Sequence, residues 1–286
     1  MRHSFIIIVM AAAFTACSHH ASNGSTSGTD SLSIDSTAVL SAADSSYIEV
    51  ETVKFEKNDS AAEVSILVQW PTKGDKVIVD SLRKHICDLL GNDDINSPKD
   101  IQTYGESLFN SLSTDWHGVY DDMDPDDRFG AFCNSYDITL LTQTNRYVTY
   151  FYHTFDYGGG AHGYTTEVGF TFRKSDGKQI ELIKDTDSPQ LAKLIKEGIK
   201  SFFAGGPDKT MTDEEVLEFL FTDEVEALDN LPLPGNNPYL TDTGVVFLYT
   251  QYEIGPYSSG IITFEIPFAD ILPFLTTEAK ELIQQN

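Results

Sequence analysis

The sequence predicts an α+β fold: a mixed, largely antiparallel sheet or sheets with packed helices, in two adjoining modules. Three observations predict it. Several segments alternate apolar and polar residues with a period of two, as half-buried strands do. Others repeat apolar residues every three or four positions between capping residues, as helices do. Strands and helices also mix without regular β-α-β alternation, which disfavours a doubly wound parallel sheet.

Residues 1–17 carry an address. Arg2 gives a positive start, and Phe5 to Phe14 form an apolar stretch too short to span a bilayer. Small residues then lead to Cys17, a pattern that fits a secretory signal. Residues 18–46 are rich in Ser, Thr, Gly, Ala and Asp, with few large apolar side chains. Such a segment buries too little to order itself and is expected to be a flexible tether.

The first module is expected over residues 47–156. Val64, Ile66, Val68 and Trp70 alternate with Glu63, Ser65 and Gln69, and residues 47–56 are the expected partner strand. Asp75 is placed to cap a helix whose apolar positions are Ile78, Leu82, Ile86, Leu89 and Leu90, with Gly91 as its stop. Ser97-Pro98 opens a second helix, with Ile101, Tyr104, Leu108 and Leu112 on one face. Two strands follow near residues 136–141 and 147–155. The second puts Val148, Tyr150 and Tyr152 on one face and Phe151, His153 and Phe155 on the other.

The second module is expected over residues 157–286. A strand at residues 164–173 ends in an Asp176-Gly177 turn. Ser188-Pro189 starts an amphipathic helix through Leu191, Leu194, Ile195, Ile199 and Phe202, closed by Gly205. Thr212 and Glu215 have capping-box spacing. Strands at residues 245–252 and 261–266 and a helical tail complete it.

Composition narrows the function. The chain has 286 residues, 41% of them hydrophobic, and a formal net charge of −25. That field repels nucleic acid and anionic membrane surfaces and favours solubility and cationic partners. After Cys17, Cys87 and Cys133 remain; an exported compartment permits their pairing, and two buried thiols are the alternative.

Four groups of residues carry chemistry. Gly158, Gly160 and Gly163 match G-x-G-x-x-G, but a strand and not a helix follows, so the helix end that holds a phosphate is missing. Gly158, Gly159 and Gly160 then either allow positive φ where one strand turns into the next, or form a backbone nest for an anion or a glycan oxygen. His162, with His153 and Asp156 near in sequence, is a candidate base or metal ligand, or a histidine bonded to a loop carbonyl. Asp122, Asp124 and Asp126 copy the first three alternate ligands of a calcium loop, yet Asp127 stands where glycine is required and Cys133 where the bidentate Glu belongs. Tyr252, Glu253, Pro256 and Tyr257 occupy a loop between strands, where aromatics and a carboxylate suit a glycan or protein contact. No compact zinc set and no G-x-S-x-G appear, and no cofactor is expected.

Phe14-Thr15-Ala16-Cys17 resembles the lipobox of bacterial lipoproteins, with Phe14 in place of the usual Leu. Phe155-Asp156-Tyr157-Gly158-Gly159-Gly160-Ala161-His162-Gly163, followed by residues 175–182, and Tyr239-Leu240-Thr241-Asp242-Thr243-Gly244-Val245-Val246-Phe247, followed by residues 252–260, resemble the RsiV-like domain of unknown function. That domain forms the exposed part of a lysozyme-sensing anti-sigma factor and accompanies PdaC-type peptidoglycan deacetylases. The resemblance covers roughly residues 157–275. It implies an extracytoplasmic binding body, here without the anti-sigma factor's membrane helix or the deacetylase's catalytic domain. Residues 157–163 and 252–260, both strand-end loops within the resembling segments, are expected to lie side by side.

Three functions are therefore expected to compete. One is a non-catalytic binding module on a lipid-anchored envelope protein, taking an envelope glycan or a cationic protein such as lysozyme and touching it through Tyr157, Gly158, Gly159, Gly160, His162, Tyr252, Glu253, Pro256 and Tyr257. The others are a wall or glycan hydrolase using His162 and Glu253 as an acid–base pair, and an accessory structural lipoprotein. The anchor is directly testable: Cys17→Ser is expected to release the protein from the membrane fraction on cell fractionation, whereas retention with normal maturation contradicts lipidation.

Overall fold

The structure, a computed structural model, describes residues 47–206, 209, 211–221 and 227–284. Cys17, the expected signal segment and the expected tether at 18–46 lie outside the described residues. Among the described residues the architecture is mixed α+β, with a five-stranded mixed sheet and a three-stranded antiparallel one.

β1 (Glu49–Asn58) and β2 (Ala62–Lys73) form an antiparallel hairpin. The Asp59 carboxylate closes its turn by accepting from the Ala61 and Ala62 amides, each at 2.8 Å. The period-two pattern puts Val64, Ile66, Val68 and Trp70 inside. α1 (Lys76–Leu90) starts where Asp75 accepts from the Val77 amide at 2.8 Å, and it ends at Gly91 with φ +64°. α2 (Pro98–Tyr120) buries Ile101, Phe109 and Trp116. Both helices lie in the connection from β2 to β3 (Phe132–Gln143), and these two strands pair in parallel. A parallel pair needs such a crossover.

β3 is longer than its alternation predicts. Its first residues, Phe132 and Cys133, are both buried and pair beside Ala62 and Glu63, so no polar alternation marks them. Cys87 and Cys133 are both buried and not disulfide-bonded, and the Cys87 thiol faces the Ile95 carbonyl at 3.0 Å.

β4 (Tyr147–Tyr157) pairs antiparallel with β3 and with β5 (Tyr164–Arg173), giving the order β1-β2-β3-β4-β5. Asp156 pairs with Tyr164 in this register, so the sheet runs across the expected module boundary at 156/157. β5 joins the same sheet as β1 to β4 because the loop at residues 158–163 turns the chain straight back alongside β4, while its other edge near Phe172 takes a bridge from Gln179.

One face of this sheet closes a core with α1 and α2, through Val53, Phe55, Ile66, Val68, Trp70, Ile138, Val148, Tyr150 and Phe172. A second core gathers α3 (Pro189–Ala204), α4 (Asp213–Leu217), β6 (Tyr239–Leu240), β7 (Gly244–Tyr249), β8 (Ile262–Pro267), α5 (Phe268–Ile271) and α6 (Thr277–Ile283). α4 carries the full capping box between Thr212 and Glu215. Tyr147 of β4 belongs to this second core, and its hydroxyl donates to the Thr241 carbonyl at 2.7 Å. On the same face the Thr171 hydroxyl accepts from the Leu240 amide at 2.9 Å, and the Tyr239 ring covers Gly169. A Cβ on Gly169 would lie 2.1 Å from that ring, so only glycine admits the contact. No described helix is long and apolar enough to cross a membrane.

Candidate functional site

The loop between β4 and β5 and the loop between β7 and β8, about ninety residues apart in the chain, meet at one edge of the molecule. The His162 ring stacks on Tyr257, with centroids 3.9 Å apart and planes 20° from parallel. The Tyr252 hydroxyl lies 3.1 Å from His162 Nε2, and Tyr252 and Tyr257 are 5.9 Å apart. His162 Nδ1 lies 2.9 Å from the Gly163 carbonyl. A carbonyl only accepts, so Nδ1 carries a proton, and in the neutral ring Nε2 must accept from the Tyr252 hydroxyl. The result is a three-ring rim in which His162 and Tyr252, the latter 47% exposed, face solvent and Tyr257 is half-buried.

The first loop reaches this position through its glycines. Gly159 and Gly160 have φ of +93° and +95°, where side chains are strained. A Cβ on Gly163 would lie 2.4 Å from the Phe155 ring and 2.7 Å from the Asp156 carbonyl. Tyr157 turns its hydroxyl back to the Gly160 carbonyl at 3.0 Å, so it braces the loop and does not join the rim.

The second loop departs from expectation. β7 stops at Tyr249, not at residue 252, because the chain curls around Glu253. One Glu253 oxygen accepts from the Thr250 amide at 2.7 Å and its hydroxyl at 3.1 Å; the other accepts from the Gly235 amide at 2.6 Å. The carboxylate expected to pair with His162 is thus engaged inside its own loop. Tyr252 takes a φ of +66°, a backbone state costly for a tyrosine, as residues at binding sites often do. Pro256 leads into the helical turn Tyr257–Ser259, whose Ser259 hydroxyl donates to the Phe219 carbonyl at 2.5 Å.

Gln251 was not legible as part of the site. It is buried, and its side-chain oxygen accepts from the Thr165 amide at 2.9 Å, tying the second loop to the start of β5. No local pattern distinguishes it from any other loop glutamine.

Other candidates separate from this rim. Asp122, Asp124 and Asp126 are exposed, and Asp124 caps the turn Pro125–Asp127 by accepting from the Asp126 amide at 3.1 Å. Among the described residues no three His, Cys, Asp or Glu groups converge to hold a metal ion, and Asp124 is engaged in capping its own turn. His153 lies 3.1 Å from Glu167 on the neighbouring strand, away from the His162 loop. A cavity of roughly 600 Å³ opens between Asp75, Arg146, Arg173, Lys174 and Glu278, and none of the expected site residues lines it. Arg173 there is held by Asp176 at 2.6 Å.

The second half of the sequence motif serves the fold. Glu265 is buried, and its carboxylate accepts from the Thr241 hydroxyl at 3.1 Å and the Thr243 hydroxyl at 2.5 Å. Burial pushes its pKa up, and the two hydroxyls oppose that shift.

Residues 181–269 match the model of a family described as "Protein of unknown function (DUF3298)". The crystal structure of a DUF3298-family member from Bacteroides fragilis is similar to this chain with a TM-score of 0.67 at 17% identity, covering 84% of this chain and 98% of that one. The structure of a DUF3298-family protein from Pseudomonas aeruginosa gives a TM-score of 0.52 at 12% identity, over 82% and 96% of the two chains. At these identities the likeness shows the fold alone. No curated protein matches the chain.

The coupling of the two loops has a measurable consequence. Gln251→Ala strips the Thr165 amide of its acceptor, which costs about 1–3 kcal/mol when the group stays buried. Amide hydrogen exchange should therefore speed up at Thr165 and across residues 157–165 while β1 and β2 keep their protection; unchanged exchange at Thr165 contradicts the coupling.

Proposed function

We propose that this chain is a non-catalytic binding module on a lipid-anchored envelope protein, and that its ligand is an envelope glycan gripped at the rim of His162, Tyr252 and Tyr257. The observation that carries this is the three-ring cluster itself. Two strand-end loops from distant parts of the chain bring stacked rings to the surface on a braced backbone. Flat rings with polar edges suit sugar faces and hydroxyls, and a rigid mount limits the entropy lost on binding. The resemblance of the loop motifs to the RsiV-like domain and of Cys17 to a lipobox supports an extracytoplasmic address.

Binding is favoured over hydrolysis by the place of Glu253. It would have to leave three hydrogen bonds to act on a substrate beside His162. A cationic protein such as lysozyme is the second reading, and the net charge of −25 favours it. Charge of that size speeds encounter with a basic partner more than it fixes specificity.

Full-length protein can be tested against insoluble peptidoglycan sacculi and against immobilised lysozyme in parallel. Retention on sacculi is expected, and Tyr257→Ala should weaken it by on the order of 2 kcal/mol, roughly thirtyfold. Retention by lysozyme alone would favour the second reading. Sacculus binding that survives Tyr257→Ala unchanged would remove the rim from the account.

A further inference from the structure

A second cluster of polar groups lies at the same end of the β4–β5 hairpin, on the sheet face that carries α1 and α2. Asp156 is its centre. It shares that face with Asn134 and Tyr136 of β3 and with Tyr152 and Thr154 of β4, because strand residues of equal parity point the same way. Ile138 and Tyr150 mark the face, both being buried in the core beneath the helices. The Asn134 amide donates to one Asp156 oxygen, and the Thr154 hydroxyl lies 3.3 Å from the other. Tyr104 of α2 packs against the same core as Tyr136 and Tyr152.

These groups are neither core nor free surface. Thr154 is buried, and Tyr104, Asn134, Tyr136, Tyr152 and Asp156 are half-buried. Beyond them Thr166 and Val168 of β5 are half-buried and Tyr164 is 42% exposed, so the shelf opens towards the β5 edge. Burial raises the pKa of Asp156, and also of the Tyr104, Tyr136 and Tyr152 hydroxyls. The polar groups acting on Asp156 are Thr154 and Asn134; among the described residues no lysine, arginine or histidine joins them. A half-buried carboxylate without a counter-cation is costly, and a cationic group supplied from outside relieves that cost.

We infer that the shelf formed by Tyr104, Asn134, Tyr136, Tyr152, Thr154 and Asp156 is a subsite for an amino sugar with a free ammonium group. The ammonium sits against the Asp156 carboxylate as a charge-assisted hydrogen bond. The Asn134 carboxamide and the Tyr and Thr hydroxyls both donate and accept, and so match the ring hydroxyls of the sugar. This rests on the glycan reading given above and narrows it: the saccharide carries at least one amine that is not acetylated.

The test compares two probes by titration calorimetry with the full-length protein: a β-1,4-linked glucosamine hexamer and its fully N-acetylated counterpart. It is run at about 0.15 M salt, where the general field of the chain decays over about 8 Å. The glucosamine hexamer is expected to bind at least about tenfold more tightly, the equivalent of one good charge contact. Asp156→Asn keeps the shape of the side chain and should abolish that preference, bringing the affinities of the two hexamers together; Tyr257→Ala should weaken both probes alike. Equal affinity for the two hexamers overturns the ammonium subsite while leaving the glycan rim standing. A preference that survives in a folded Asp156→Asn protein, checked by its melting temperature, overturns it too, since the chain's overall charge would then explain it. No binding of either hexamer overturns both proposals.

Discussion

The whole molecule depends on one hairpin having two inner faces. β4 and β5 present Val148, Tyr150 and Phe172 to the core beneath α1 and α2, and Tyr147, Thr149, Gly169 and Thr171 to the second core. Polar residues on the second face are paired: the Thr149 and Thr171 hydroxyls meet at 3.0 Å, and Thr171 takes the Leu240 amide. Burying two threonines this way is tolerable only because each finds a partner. The hairpin is therefore not the end of one module followed by the beginning of another. It is the shared wall.

That wall also decides where function can sit. A hairpin held on both faces has one free part, its tip, and the Gly-rich loop at the tip carries His162. The partner loop is fixed to it by Gln251 and stiffened by Glu253, so the backbone that carries Tyr252 and Tyr257 is held while their rings meet His162. Loops mounted on a rigid scaffold are where binding residues concentrate. The Asp156 shelf lies at the same tip on the other face, which places both polar sites of interest within one supersecondary unit.

Much of this was legible in the sequence. The period-two runs of β2 and β4, the helix from Asp75 to Gly91, the helix opened by Ser188-Pro189 and the Thr212–Glu215 box all follow from local rules, and local rules govern them. The meeting of the 157–163 and 252–260 loops was also legible, because two motifs that travel together in a resemblance tend to share a surface. What was missed is non-local. β5 looked like the start of a second module because nothing in residues 164–173 announces that its ladder partner lies on the near side of the boundary. Glu253 read as a free carboxylate because sequence does not show that the Gly235 and Thr250 amides converge on it. Gln251 and Asn134 gave no signal at all, since their roles exist only across strands or loops.

The central claim is that the hairpin joins the two cores into one cooperative unit, and Gly169→Ala tests it most directly. The new methyl group must displace the Tyr239 ring on the second-core side, at a cost of about 1–3 kcal/mol. Both tryptophans, Trp70 and Trp116, report from the other side of the sheet. Thermal unfolding followed by tryptophan fluorescence and by far-ultraviolet circular dichroism should show one coincident transition, lowered by about 2–12 °C in both signals. A tryptophan transition that stays at the parent temperature while the dichroism signal splits or shifts would show that the two cores unfold independently, and would contradict the account.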